Sequence, residues 1–206
     1  MQLLANTTSP FVRIARMALI EKGINLEPTL VDPWADDARL RAANTATRVP
    51  TLVLDDGTPL AECLLIVQWL ECTRPPPDWP SLTGQGTASA GILSRTGIAI
   101  GAIEASTITI ITRKVTAPVL FDETPVGLRR RRSMVEGMLR LEAQADAMAS
   151  TGTPTLDAIA AVTLVDYQQL RFAEQPWLPA TPRLQALAAA WNTRPSFSST
   201  KPYIPN

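Results

Sequence analysis

Apolar and polar positions divide this chain into two parts. In the first third, short apolar runs bounded by turn formers flank a helical stretch. Residues 2 to 5 and 26 to 31 have the length and composition of strands, and Pro10 to Lys22 lies between them. Ser9 stands where an N-cap belongs, Pro10 suits the first helical position, and Gly23 suits the stop. The segment TLVLDDGTPLAE at 51 to 62 reads as two strands joined by an Asp-Gly turn, and a helix is expected from Glu62 to about Cys72. Residues 1 to 74 are therefore expected to fold as βαβ-α-ββα.

The next stretch, TRPPPDWP, holds four prolines in eight residues. Consecutive prolines lack amide donors and resist both helix and sheet, so residues 75 to 82 read as a linker. Beyond Leu82 no period-2 segment is convincing, and the long Ala-rich or helix-periodic runs predict helices near 84–115, 124–150, 155–172 and 182–193, then a proline-rich tail. The expected architecture is α/β plus all-α, with a domain over 1–74 and an all-helical domain over 83–206.

Composition removes several function classes. Lys plus Arg equals Asp plus Glu at 19 each, so no net positive field favours nucleic acid or an anionic membrane. The run Arg129 to Arg132 does not change this, because four consecutive helical residues point in four directions about 100° apart. Histidine is absent, which excludes Ser-His-Asp and Cys-His mechanisms and leaves Cys63 and Cys72 as the soft metal ligands; no metal is expected. Nine residues apart on one helix, those thiols would stand roughly 13 Å from each other, beyond disulfide reach. Two thiols without a disulfide framework and no secretory leader point to a reducing, cytoplasmic setting. The most apolar stretch, between Arg95 and Arg113, contains Glu104 and several Ser and Thr, and reads as a buried helix rather than a membrane span.

Three places carry candidate chemistry. Thr7, Thr8 and Ser9 lie between strand and helix, where a hydroxyl and free backbone amides can face a ligand at the positive helix end; the local alternative for Ser9 is capping alone. Val49-Pro50 precedes a strand, either as an ordinary trans start or as a cis pair presenting its backbone. Glu62 opens a helix, where its carboxylate either complements the helix dipole or receives an ammonium group. Cys63 beside it is either a small buried hydrophobe or a redox group. Taken together in this order, the segments suggest a thiol-binding module.

The segments TTSPFVR, RVPTLVLDDGTPLAE and RPSFSSTKP, with the linker and the helical remainder, resemble the cytosolic glutathione transferase superfamily, especially small bacterial members with an SPFVR or SPYVR start. The resemblance spans nearly the whole chain and is faintest over 84 to 150. It implies a thioredoxin-like N-terminal domain that binds glutathione as cosubstrate, an all-helical C-terminal domain that walls a pocket for a small apolar electrophile, and a homodimer. It also implies a cis bond at Val49-Pro50, with the Val backbone pairing to the cysteinyl part of glutathione and Glu62 meeting the γ-glutamyl end. Thr8, Phe11, Arg48 and Cys63 complete the implied glutathione contacts.

Within that resemblance Ser9 is the catalytic hydroxyl, since no Cys occupies 7 to 9 and the two tyrosines, Tyr167 and Tyr203, lie far along the chain. Its task would be to donate a hydrogen bond to a thiolate and lower its pKa from about 8.5. Ile100, Ile103 and Glu104 are guesses for the electrophile pocket. The chain departs from relatives at Thr45 and Thr47, which replace a loop-shaping Pro and Gly, at Cys63, which replaces Ser, and at Asp157, which follows Thr155 by two residues instead of three. The implied activity is conjugation of glutathione to electrophiles; the alternatives are a catalytically weak glutathione-binding or interaction protein, and a glutathione-dependent peroxidase.

Overall fold

Strand β1 (Gln2–Ala5) is an inner strand, with Leu3, Leu4 and Ala5 all buried. That explains why its sequence runs apolar without alternation. The computed structural model describes residues 1–118, 120–149 and 152–204. Helix α1 (Pro10–Glu21) returns the chain so that β2 (Thr29–Leu30) pairs parallel to β1, the crossover that parallel pairing requires. The second strand is shorter than the expected 26 to 31. A short helix, α2 (Ala38–Ala43), is capped by Asp37, whose carboxylate accepts the Arg39 and Leu40 amides at 2.9 and 3.3 Å. Strands β3 (Thr51–Val53) and β4 (Pro59–Ala61) form the expected hairpin, and α3 (Cys63–Thr73) follows. The sheet order is β2-β1-β3-β4.

Gly23 ends α1 at φ +72°, and a Cβ there would sit 2.3 Å from the Trp79 ring. The proline-rich linker is thus fastened to this helix. Arg74 stacks over Trp79 at 4.6 Å, and the fully buried Lys22 ammonium bonds to Glu71 at 2.7 Å and to the Arg74 carbonyl at 2.8 Å. Glu71 also accepts from Ser81 and from the Leu82 amide.

The second unit, Thr83–Thr193, is helical, with no strand among its described residues. It comprises α4 (Ala88–Thr116), α5 (Pro125–Glu142), α6 (Leu156–Phe172) and α7 (Pro182–Trp191). Inside it, Ala105, Met134 and Phe172 form a core joined by Ile110 and Trp177. Helix α5 stops short of the expected 150, a position outside the described residues. Its last residue, Glu142, turns to accept the Arg183 and Leu184 amides at 2.9 and 2.8 Å, capping α7. Thr155 holds the N-cap position of α6, but its hydroxyl donates to Asp157 rather than capping. The wholly buried Asp157 carboxylate pairs with Arg95 at 2.7 Å.

The expected helical domain over 83–206 needs a correction at its end. The segment Arg194–Asn206 groups with Met1–Leu82, and its described part carries a short helix, α8 (Pro195–Ser198). The reason is a set of bonds to α1. Arg194 grips the nearly buried Glu21 carboxylate through two nitrogens at 2.6 and 2.7 Å, Ser196 donates to the same carboxylate, and Phe197 is completely buried. Otherwise the expected class holds: a small mixed sheet with its helices, then a helical remainder.

Candidate functional site at one end of the sheet

The register gathers the predicted residues. Leu4 on β1 faces Thr51 on β3, and Thr51 faces Ala61 on β4. The end of β1, the start of β3 and the end of β4 therefore share one edge of the sheet. Just beyond that edge lie the 6–9 loop, Val49-Pro50 and Glu62-Cys63. Helices α1 and α3 also begin there, so two positive helix ends converge on the same region.

Ser9 takes an extended conformation and caps α1, its Oγ accepting the Val12 amide at 3.3 Å. That bond uses an oxygen lone pair and leaves the hydroxyl proton available to a ligand. The expectation of a free amide at Ser9 is corrected, because Asn6 Oδ1 accepts the Ser9 N–H at 2.8 Å. Asn6 went unnoticed in the sequence, although an Asn three residues before a helix N-cap offers this short-range bond. Thr7, Thr8 and Phe11 are half-buried around it.

The Val49-Pro50 bond is cis, as the resemblance implied. Val49 packs against the cluster of Leu4, Val31 and Leu40. The preceding turn is held by two residues that sequence reasoning missed, Asn44 and Thr51. Asn44 Nδ2 donates to the Arg48 carbonyl at 3.1 Å and to Thr51 Oγ1 at 3.0 Å, while the Thr51 hydroxyl donates to the Arg48 carbonyl at 2.8 Å. The turn carries strain. Thr47 adopts φ +50°, a left-handed conformation that is costly for a β-branched residue.

Glu62 is strained as well, with φ +69°, and it occupies the N-cap of α3 without a side-chain cap bond. Its carbonyl accepts the Leu65 and Ile66 amides, and its carboxylate is 54% exposed. The carboxylate is thus not consumed in capping its own helix. Arg48 Nη1 lies 3.6 Å from it, an exposed pair worth at most about 1 kcal/mol. An acid and a base stand together at the surface, able to meet the two ends of an amino-acid zwitterion. Cys63, at the first position of α3, is 3% exposed; neither it nor Cys72 forms a disulfide.

The guessed pocket residues lie on α4 and differ in exposure. Ile103 is completely buried, which leaves Ile100 and Glu104 as the members of that guess with accessible surface. The sequence distance of the tyrosines proved a poor guide: the Tyr203 amide donates to the Thr7 carbonyl at 3.3 Å. Among the described residues no group of three or more Cys, Asp or Glu is placed to hold a metal, and no helix is long and apolar enough to cross a membrane.

With this geometry in view, the chain can be set beside known proteins. Residues 8–74 match the family model for the glutathione S-transferase N-terminal domain. The uncharacterized GST-like protein YibF of Escherichia coli K12 is 27% identical over 203 residues, covering 98% of each chain. A glutathione S-transferase of Methylobacterium radiotolerans, solved with glutathione sulfonate, is 28% identical with a TM-score of 0.84 over 100% of this chain and 96% of that one. A second, from Methylobacillus flagellatus with glutathione bound, shares the fold at 24% identity and a TM-score of 0.85, covering 98% of this chain and 99% of that one. The chain is thus similar over its length to glutathione S-transferases, and its residues 8–74 match their N-terminal domain.

Proposed function

We propose that this protein binds glutathione at the shared sheet edge and transfers its thiolate to small apolar electrophiles. The observation that carries the reading is the register, which puts Ser9, the cis Val49-Pro50 pair and Glu62 at one end of the sheet beneath two helix N-termini. In this reading the Val49 backbone pairs with the cysteinyl part of glutathione, Glu62 receives the γ-glutamyl ammonium, and Arg48, Thr8, Phe11 and the Cys63 amide complete the contacts. Residues 1–74 hold glutathione, 75–82 link, and the helices within 83–193 supply the electrophile wall. The enzyme is a cytoplasmic homodimer that needs no metal.

Ser9 Oγ–H donates to the sulfur, favouring thiolate over thiol at neutral pH. The thiolate then forms a C–S bond to the electrophile. An aryl halide releases halide; an enone takes up a proton at its α-carbon. Proximity of the two reactants supplies much of the acceleration.

Two features favour a second reading, a glutathione-binding protein with weak turnover: the strained Thr47, two residues before Val49, and the poor donor Cys63. Calorimetric titration with glutathione, together with turnover on aryl halides, enones and hydroperoxides, separates them. The first reading expects binding and conjugation, and binding alone selects the second. Turnover confined to hydroperoxides makes the protein a peroxidase, and no binding refutes all three.

A further inference from the structure

We propose that Tyr203 is a positioning residue for the thiol site, acting through its main-chain amide rather than its phenol. The inference rests on the glutathione reading of that site.

The loop between β1 and α1 has two successive peptide planes, Thr7-Thr8 and Thr8-Ser9, and each is held by a bond from outside itself. The Thr8-Ser9 plane is set by Asn6 Oδ1, which takes the Ser9 N–H at 2.8 Å. The Thr7-Thr8 plane is set by the Tyr203 N–H, which donates to the Thr7 carbonyl at 3.3 Å. This peptide is trans, so its carbonyl and amide point in opposite directions; pinning the carbonyl to the tail turns the Thr8 N–H to the other side. Ser9 Oγ hangs from the end of these two planes, and its direction follows from both.

The tail can impose this geometry because it is itself anchored to the helix that Ser9 caps. Arg194 and Ser196 bind Glu21, Arg13 reaches the Phe197 carbonyl and Arg16 the Ser199 carbonyl, both at 3.5 Å. The Thr200 hydroxyl closes α8 by donating to the Ser196 carbonyl at 2.7 Å. The strap therefore runs from fixed points on α1 to the loop that precedes α1. Tyr203 is 57% exposed, and its bond to the loop is made by the amide.

The test compares wild type, Tyr203→Pro, which removes the amide donor, and Tyr203→Ala, which keeps the donor and removes the phenol. Each protein is checked by thermal melting. The apparent pKa of bound glutathione is read from the ultraviolet signal of its thiolate, and kcat is measured with one aryl halide. Loss of one neutral hydrogen bond scales to a rate change of roughly three- to tenfold. The expected result is that Tyr203→Pro raises the bound thiol's pKa by about half to one unit and lowers kcat by that factor, while Tyr203→Ala matches wild type.

Equal losses in both variants would assign the role to the phenol and overturn the proposal. So would a Tyr203→Pro protein that melts earlier but keeps the wild-type pKa and kcat, since that result makes the strap structural only. A wild type that holds no thiolate fails at an earlier step, and overturns the glutathione reading together with this inference.

Discussion

Replacing Ser9 separates the cap seen in the structure from the proposed role of the same oxygen at the thiolate. As an N-cap it accepts the Val12 amide at 3.3 Å, near the long end for such a bond, so Ser9→Ala should cost about 0.5 to 1 kcal/mol of stability. In the proposed reaction the same hydroxyl donates to a thiolate, a charge-assisted bond worth about 1.5 to 3 kcal/mol. At 1.36 kcal/mol per factor of ten, its loss is expected to lower kcat roughly 10- to 150-fold. Ser9→Gly loses the same donor, yet a glycine N-cap costs only about a few tenths of a kcal/mol. The Ala and Gly variants should therefore show equal kinetic losses and unequal stabilities. Denaturant midpoints and steady-state kinetics with saturating glutathione measure the two quantities. Activity that falls in step with stability across the pair would refute the donor role, because the oxygen would then act only as a cap. Full activity in both variants would transfer the thiolate bond to Thr8 or to the loop backbone.

Three other outcomes are expected. Thr47→Gly relieves a β-branched residue at φ +50°, and strain relief of about 1 to 2 kcal/mol should outweigh the glycine's extra unfolded-state entropy; a net gain of roughly 0.5 to 1 kcal/mol in chemical denaturation checks it. Burial pushes the Glu71 carboxyl upward, but bonds from Lys22, the Leu82 amide and Ser81 outweigh it and hold the pKa below its ordinary value of 4.5. Its stabilisation is therefore fully present above 4.5 and lost as pH falls through the depressed folded value. Wild type should show a steeper acid loss of stability below pH 4.5 than Glu71→Gln, which starts about 3 kcal/mol less stable because Lys22 stays buried without its carboxylate. Cys63→Ser should tighten glutathione binding by roughly 0.5 to 1.5 kcal/mol in calorimetry, since a hydroxyl is the better donor to a carboxylate; weaker binding contradicts it.

Local signals carried far in this protein. Ser9, Pro10 and Gly23 delimit α1 because capping, the proline ring and the left-handed stop act within a few residues of each other. The same holds for the Asp-Gly hairpin and for the change from strands to helices after the prolines. Ser9, Val49, Pro50 and Glu62 were likewise legible as candidates, since each stands at an element boundary that the sequence marks.

Other features had no local signature. Glu21 reads as an ordinary helix-end acid until Arg194 and Ser196 arrive from the far end of the chain to bury it. Glu142 reads as the end of α5 until it caps α7. Tyr203 is the last residue one would assign to the first loop, yet the tail's bonds to α1 deliver its amide to Thr7. The strain at Thr47 and Glu62 was invisible too, because a residue's type states what φ it prefers and only the surrounding structure can hold it elsewhere. The sequence by itself determined the elements, their order and the residues at their boundaries, since those follow from short-range propensity and period. Tertiary structure decided which boundaries meet at one sheet edge and which distant groups brace them, because pairing register and the burial of charged side chains depend on partners that no local window contains.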